Sequence, residues 1–209
     1  IEEAMLLANR TVCTYLLKHH MPVLFRVHEP PRQRDLLDLL ETLAEIGFSS
    51  SLLAGLKKAA SSGEHIHEAL QAIADACRGR PLEHFVNMHI LRSLQRARYS
   101  SEDLGHFGLA FTGYLHFTSP IRRYPDLVVH RLVKQALTSG GFSVKERERF
   151  QKYLKKLAPE VSDREELTDT AMMEALKIKT AAYMVSHLGD EFDAVVTSVK
   201  PYGMFVEVM

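Results

Sequence analysis

The apolar residues of this chain lose their helical period once, regain it, and exchange it for a period of two near the end, and those changes decide what it can build. Through the first half they recur at helical spacing. Met5, Leu6, Ala8, Asn9, Val12, Leu16 and Leu17 mark an opening helix, with Glu2 and Glu3 in the first turn, where the helix dipole favours acids. Residues 23–27 read as a short strand running into the loop His28-Glu29-Pro30-Pro31, and helices are predicted over 32–46, 64–77 and 82–99. Between Gly105 and Pro120 the rhythm gives way to glycine, histidine and aromatic residues. Helix resumes near Ile121, with Pro120 at its first turn, and continues to Gly140-Gly141. Another helix is predicted over 145–157, and a long one opens at Ser162-Asp163-Arg164-Glu165, which matches a capping box, and closes near Gly189. From Glu191 the period becomes two, giving a hairpin across Lys200-Pro201-Tyr202-Gly203. The expected fold is α+β and mostly helical over 1–188, with a new all-β domain starting at 189.

Charge and cysteine content narrow the function. Lys plus Arg equals Asp plus Glu at 26 each, which excludes a globally basic nucleic-acid binder but not a local basic site. No apolar run approaches the roughly 20 residues that a membrane helix needs, so no membrane partner is expected. Cys13 and Cys77 can build neither a disulfide framework nor a four-ligand zinc site, and the default is a reduced, cytoplasmic compartment. The chain starts without Met inside an amphipathic helix and stops within an alternating pattern, so it reads as a piece of a longer protein.

The densest cluster of chemistry-bearing residues is His116-Phe117-Thr118-Ser119-Pro120-Ile121-Arg122-Arg123-Tyr124-Pro125-Asp126. Thr118 and Ser119 precede a predicted helix whose first N–H groups lack internal partners and attract anions. Arg122 and Arg123 fall in its first turn, where cations are disfavoured unless an anion is expected. The alternative is a capped helix whose arginines pair with Asp126. Adjacent helical residues point about 100° apart, so at most one arginine should face a given ligand and the other should be structural. From Arg78 to Lys134 there are nine basic and four acidic residues, a local excess that also fits a solvated face. Gly105-His106-Phe107-Gly108 could bring backbone close to a ligand, and Phe107, Phe117 and Tyr114 could stack on bases or simply fill a core. His65 and His67 do not share a helix face, and no carboxylate or cysteine completes a metal set around them. Spaced aspartates suited to magnesium, a G-x-S-x-G, a P-loop and a dinucleotide fingerprint are all missing from the sequence.

Taken together, Gly105–Ala110, the run from His116 to Leu127, and His130-Arg131 resemble the signature of the ribonuclease R and ribonuclease II family, the RNB-domain exoribonucleases. The stretches Ile1-Glu2-Glu3-Ala4-Met5-Leu6-Leu7-Ala8-Asn9, Leu24-Phe25-Arg26-Val27-His28-Glu29-Pro30 and Leu91-Arg92-Ser93-Leu94 agree in order and spacing, and Arg123-Tyr124-Pro125-Asp126 is the form of the ribonuclease R branch. The resemblance implies processive, magnesium-dependent hydrolysis of RNA from single-stranded 3′ ends to nucleoside 5′-monophosphates, by a monomer without a small-molecule cofactor. The magnesium ligands would lie upstream, so this segment alone would hold no metal and be inactive. Arg122 matches the arginine expected to neutralise charge on the scissile phosphate. One of Glu2 or Glu3 matches the glutamate expected near the terminal 2′-hydroxyl. His106, Phe107, His116, Thr118, Ser119, Arg123 and Tyr124 are expected along the RNA path. Residues 1–188 would be the C-terminal part of the RNB catalytic domain, and 189–209 the first strands of an OB-fold RNA-binding domain. A five-stranded OB barrel cannot be completed by two strands, so this tail should be poorly self-sufficient. One departure stands out: Ala171-Met172-Met173 occupies the place of a family Ala-Glu-Arg triplet. Those methionines could be ordinary helix packing, or the mark of a degenerate homologue that binds RNA or protein without chemistry.

Overall fold

In a computed structural model, residues 1–208 are described; they are mostly helical, with two short two-stranded sheets. Two compact units emerge, Ile1–Leu36 with Ser93–Leu167, and Leu37–Arg92 with the residues from Thr168 onward.

In the first unit, helix α1 (Glu2–Lys18) turns one stripe inward, burying Asn9, Cys13 and Leu16. Strand β1 (Phe25–Val27) pairs antiparallel with β2 (Arg98–Ser100), setting Arg26 opposite Tyr99. This corrects the helix predicted over 82–99. Helix α5 (Glu83–Ser93) stops short of that strand, whose residues serve as partners for β1. The other edge of β1 is taken by the aperiodic segment: the Arg26 N–H donates to the Tyr114 carbonyl and the His28 N–H to the Gly105 carbonyl. Its lack of rhythm has a physical origin, since it spends its backbone groups on β1 and on Asp103 rather than on a regular ladder.

Helix α6 (Tyr124–Ser139) starts later than predicted. Pro120 sits at the second position of a turn in which the Arg122 N–H reaches the Ser119 carbonyl, a place its fixed φ favours. Pro125 is the proline in the first helical turn. Had the helix begun at Ile121, the Pro125 ring would meet the Ile121 carbonyl, so Pro125 sets the start.

Helix α7 (Val144–Met184) merges the two helices expected over 145–157 and beyond Ser162, continuing through Pro159. The Ser162 hydroxyl is no cap: it donates to the Ala158 carbonyl and accepts the Tyr99 N–H, tying α7 to β2. With Leu154, Leu157 and Ala158 buried, and Glu165 on Arg26 at 2.5 Å, tertiary contacts offset the hydrogen bond lost at Pro159. The core of this unit gathers Cys13, Leu16, Val23, Leu24, Val27, Leu115, Val129, Leu132 and Leu154.

In the second unit, α3 (Ser50–Ser62) and α4 (Ile66–Cys77) form a hairpin turning at left-handed Gly63, φ 73°. Leu56 and Ile73 are among its buried side chains, along with Leu43 at the end of α2 (Gln33–Glu45) and Val86. Strands β3 (Ala194–Lys200) and β4 (Gly203–Val208) make the hairpin expected from the period-two pattern, with a register shift between Val196 and Ser198. Val199, Tyr202 and Met204 on it are exposed. Met172 and Met173 are also exposed, so the alternative of ordinary helix packing finds no support among the described residues.

Leu132 lies on α6 at 1 % exposure in the middle of the first core. Leu132→Ala should destabilise this unit by about 2–5 kcal/mol, seen as a lower urea midpoint with far-UV circular dichroism retained below the transition.

Candidate functional site

The segment from Tyr114 to Asp126 is fastened from below. Asn9, 3 % exposed on α1, donates through Nδ2 to the Tyr114 hydroxyl (2.9 Å) and accepts the Phe117 N–H at Oδ1 (3.0 Å). His130 on α6 shares a 2.9 Å hydrogen bond with the Phe117 carbonyl and stacks on the Phe117 ring at 4.1 Å. Because a carbonyl only accepts, His130 Nε2 carries the proton. Phe117 thus packs against the core, as the alternative to base stacking had it.

Asp126 is fully buried in the first turn of α6 and faces back at the turn before it. Its Oδ2 accepts the Ser119 N–H (2.7 Å) and Arg123 Nη2 (2.8 Å). This corrects the local geometry expected from sequence. Thr118 and Ser119 do not sit on an open helix terminus, because the helix begins at Tyr124 and Asp126 takes the Ser119 N–H. Neither arginine lies inside the helix: Arg123 is its extended N-cap residue, and Arg122 belongs to the preceding turn. The two arginines nevertheless differ in their surroundings. Arg123 is locked against Asp126, whereas Arg122 is exposed and makes no side-chain hydrogen bond or ion pair with the described residues.

The local field is positive and partly dry. His116 shares a 3.0 Å hydrogen bond with the Tyr99 hydroxyl, and the Arg26 guanidinium lies 4.8 Å over the Tyr99 ring. Burial, then Arg123 and Arg26, pushes the His116 pKa down to about 3. Burial first, then His28 and Arg26, lowers His106 to about 4. Both rings are therefore neutral near pH 7, and burial raises the Tyr99 hydroxyl pKa so that it keeps its proton. Buried His106 Nδ1, Thr118 Oγ1 and Arg123 Nε find no hydrogen-bond partner among the described residues. Gly108 shows why that position is glycine: its N–H donates to His28 Nδ1 at 3.1 Å, and an added Cβ would lie 2.9 Å from the same atom. Phe107, half-buried, hangs on the same segment through its N–H to the His28 carbonyl.

Part of the basic excess counted over 78–134 is neutralised, with Arg98 on Glu29 (2.8 Å) and Arg78 on Asp75 (2.6 Å). Glu2 and Glu3 are exposed at the start of α1, and Tyr124 is exposed with its hydroxyl 3.2 Å from that of Tyr153. Two residues important to the geometry were not singled out from sequence. Asn9 appeared as a member of an apolar stripe and of a matching stretch, and His130 as part of a motif, neither with a role of its own; a lone amide on an otherwise apolar helix face was the available signal. Among the described residues no group of three or more His, Cys, Asp or Glu side chains is placed to hold a metal ion, so these residues do not by themselves fit a magnesium site. No described helix is long and apolar enough to cross a membrane.

Comparisons with known proteins fall on the same residues. The family model described as the RNB domain matches residues 1–139. Ribonuclease R of Aquifex aeolicus (strain VF5) is 40 % identical over 208 residues, spanning all of this chain and 28 % of that protein. Two solved structures of Mycoplasma genitalium RNase R, one in complex with ribose methylated single-stranded RNA and one with double-stranded RNA, superpose with a TM-score of 0.81 at 28 % identity. Each covers 99 % of this chain, which spans 31 % and 35 % of the respective solved chains.

The two depressed histidines fix a pH dependence. In the unfolded chain both rings titrate near 6.5, so their stabilising neutrality is complete above that pH. As pH falls from about 6.5 towards the folded values near 4 and 3, the unfolded state binds more protons and stability is lost. Urea midpoints should therefore drop between pH 6.5 and 5, and His116→Gln should flatten that slope.

Proposed function

This chain belongs to the RNB-domain family, and from that premise we propose that it forms the RNA-gripping, phosphate-facing wall of a 3′→5′ exoribonuclease. The substrate is the single-stranded 3′ end of RNA and the product a nucleoside 5′-monophosphate. Residues 1–188 are assigned to the C-terminal part of the catalytic domain and 189–209 to the opening strands of an OB-fold RNA-binding domain.

The reading is carried by the Arg122 guanidinium, exposed and unpaired among the described residues, beside a turn tied to buried Asp126. When water attacks the terminal phosphodiester, negative charge grows on the non-bridging oxygens. A planar fork of donors free to meet those oxygens stabilises that charge more than the ground state. Arg123 already has its charge balanced by Asp126 through Nη2 and is assigned to gripping RNA with its remaining donors, not to the developing charge. His116, Thr118, Ser119 and Tyr124 flank this phosphate position, and His106 and Phe107 extend the wall along β1. The neutral imidazoles can exchange hydrogen bonds with RNA without adding a charge.

Glu2, rather than Glu3, is assigned to the terminal ribose. It stands seven residues before Asn9, hence on nearly the same helix face, and the Asn9 face meets Tyr114 and Phe117. Glu3 is rotated by about 100° and lines a hollow with Arg10 and Phe111. A carboxylate accepts a hydrogen bond from a 2′-hydroxyl and has no such donor in DNA. Magnesium, which supports charge on the attacking and leaving oxygens, would be held by aspartates outside these residues. A second reading, a non-catalytic module that only holds RNA or a protein partner, draws on Met172 and Met173, exposed where the family has Glu-Arg.

Three outcomes are expected. The 209-residue chain alone should bind single-stranded RNA yet release no nucleotides, with or without magnesium, in a gel or chromatographic assay. In a full-length protein carrying this segment, Arg122→Ala should slow single-turnover cleavage about 100-fold with a much smaller loss of RNA binding. Arg123→Ala should chiefly lower the melting temperature. Equal losses of rate and binding for Arg122→Ala would reduce that residue to a grip, and no cleavage by the unsubstituted full-length protein would favour the second reading.

A further inference from the structure

We infer that the buried Asn9 carboxamide is a positioning residue for Arg122, acting through the Phe117–Ser119 backbone. The inference rests on the reading of Arg122 given above. Asn9 is the one polar side chain among the buried residues of α1, where the rest of the inward stripe is Cys13 and Leu16. An amide in such a place costs stability unless both its ends are bonded. Here they are: Nδ2 serves the Tyr114 hydroxyl at 2.9 Å and Oδ1 the Phe117 N–H at 3.0 Å, residues more than a hundred positions away.

Those two bonds bracket Leu115 and His116, so the carboxamide fixes the register of the chain as it leaves the β1 edge and enters the turn. From Phe117 the path to Arg122 is short and constrained throughout. His130 holds the Phe117 carbonyl, Asp126 holds the Ser119 N–H, and the Ser119 carbonyl accepts the Arg122 and Arg123 N–H groups. His130 and Asp126 both stand on α6, so they set the segment relative to that helix alone. Asn9 ties the same segment to α1, the helix whose first turn bears Glu2 and Glu3. Without it, the phosphate-facing arginine and the ribose-facing carboxylate are referred to different helices. A displacement of about 1 Å is enough to cost a phosphate-stabilising group most of its effect.

The test is a double-mutant cycle in a full-length protein carrying this segment, read as single-turnover cleavage of a short single-stranded RNA with magnesium. Asn9→Ala should slow cleavage by about 10- to 100-fold with near-normal RNA affinity. Placed on an Arg122→Ala background, it should slow cleavage by no more than about twofold, because the group it positions is already gone. Tyr114→Phe keeps the ring and removes only the hydroxyl, so it covers the case in which Asn9→Ala fails to fold. It should reproduce part of the slowing and the same loss of effect on the Arg122→Ala background. If either substitution slows the Arg122→Ala protein by the same factor as the unsubstituted one, Asn9 is a general structural amide and the inference is overturned. If Arg122→Ala alone cleaves at the normal rate, the underlying reading of Arg122 fails, and this inference falls with it.

Discussion

The carboxylate of Asp126 is the interaction on which the rest of the site depends. It is fully buried, yet it takes both the backbone of Ser119 and the guanidinium of Arg123. A buried charge needs such partners, since removing either leaves an uncompensated ion in a dry place. The first turn of α6 suits it further, because unpaired N–H groups there favour a negative side chain. The geometry follows from that one demand. Ser119 is drawn back towards the helix start, Pro120 and Ile121 are pushed out into a turn, and Arg123 is committed. Arg122 is the cation left over.

The site and the core are not separate achievements of the fold. Leu115 is fully buried between Tyr114, which holds Asn9, and His116, which holds Tyr99. Tyr99 in turn sits on β2 beneath the Arg26 guanidinium, and Arg26 reaches Glu165 on α7. Packing, cross-strand pairing and hydrogen bonds thus converge on one short stretch of irregular chain. Its neutral histidines are a consequence of that convergence: a ring shielded from water, with positive groups nearby, gives up its proton. The stretch is thus flanked by the guanidinium groups of Arg26, Arg122 and Arg123, while its own two imidazoles carry no charge near pH 7.

Membership of the RNB-domain family places these residues in a lineage of RNA-degrading proteins, while the chain spans only 28 % of its Aquifex relative. In the proposed reading the division of chemistry is physical as well as sequential. Aspartates outside these residues would hold the metal ions, which would supply positive charge at the attacking and leaving oxygens, and this segment would contribute a further cation and a shaped wall. The two halves answer different demands, one for high charge density at a point and one for a long, preorganised surface.

The sequence by itself determined the helical character of most of the chain, the closing hairpin, the family and the identity of the crowded motif. Those properties are local: hydrophobic period, turn residues and the order of an unbroken run of side chains. It also contained the clue that Pro125 marks the start of α6, since proline is favoured in a helix's first turn and costs a hydrogen bond further in. Only the tertiary structure decided that residues 98–100 form a strand rather than the end of a helix, because a strand exists by virtue of its partner and β1 lies some seventy residues earlier. It alone decided that Ser162 docks β2 instead of capping a helix, and that Asn9 is a clamp rather than a polar interruption. It separated Arg122 from Arg123 as well, for that choice turns on which guanidinium reaches a buried carboxylate, and burial is a property of the packed chain.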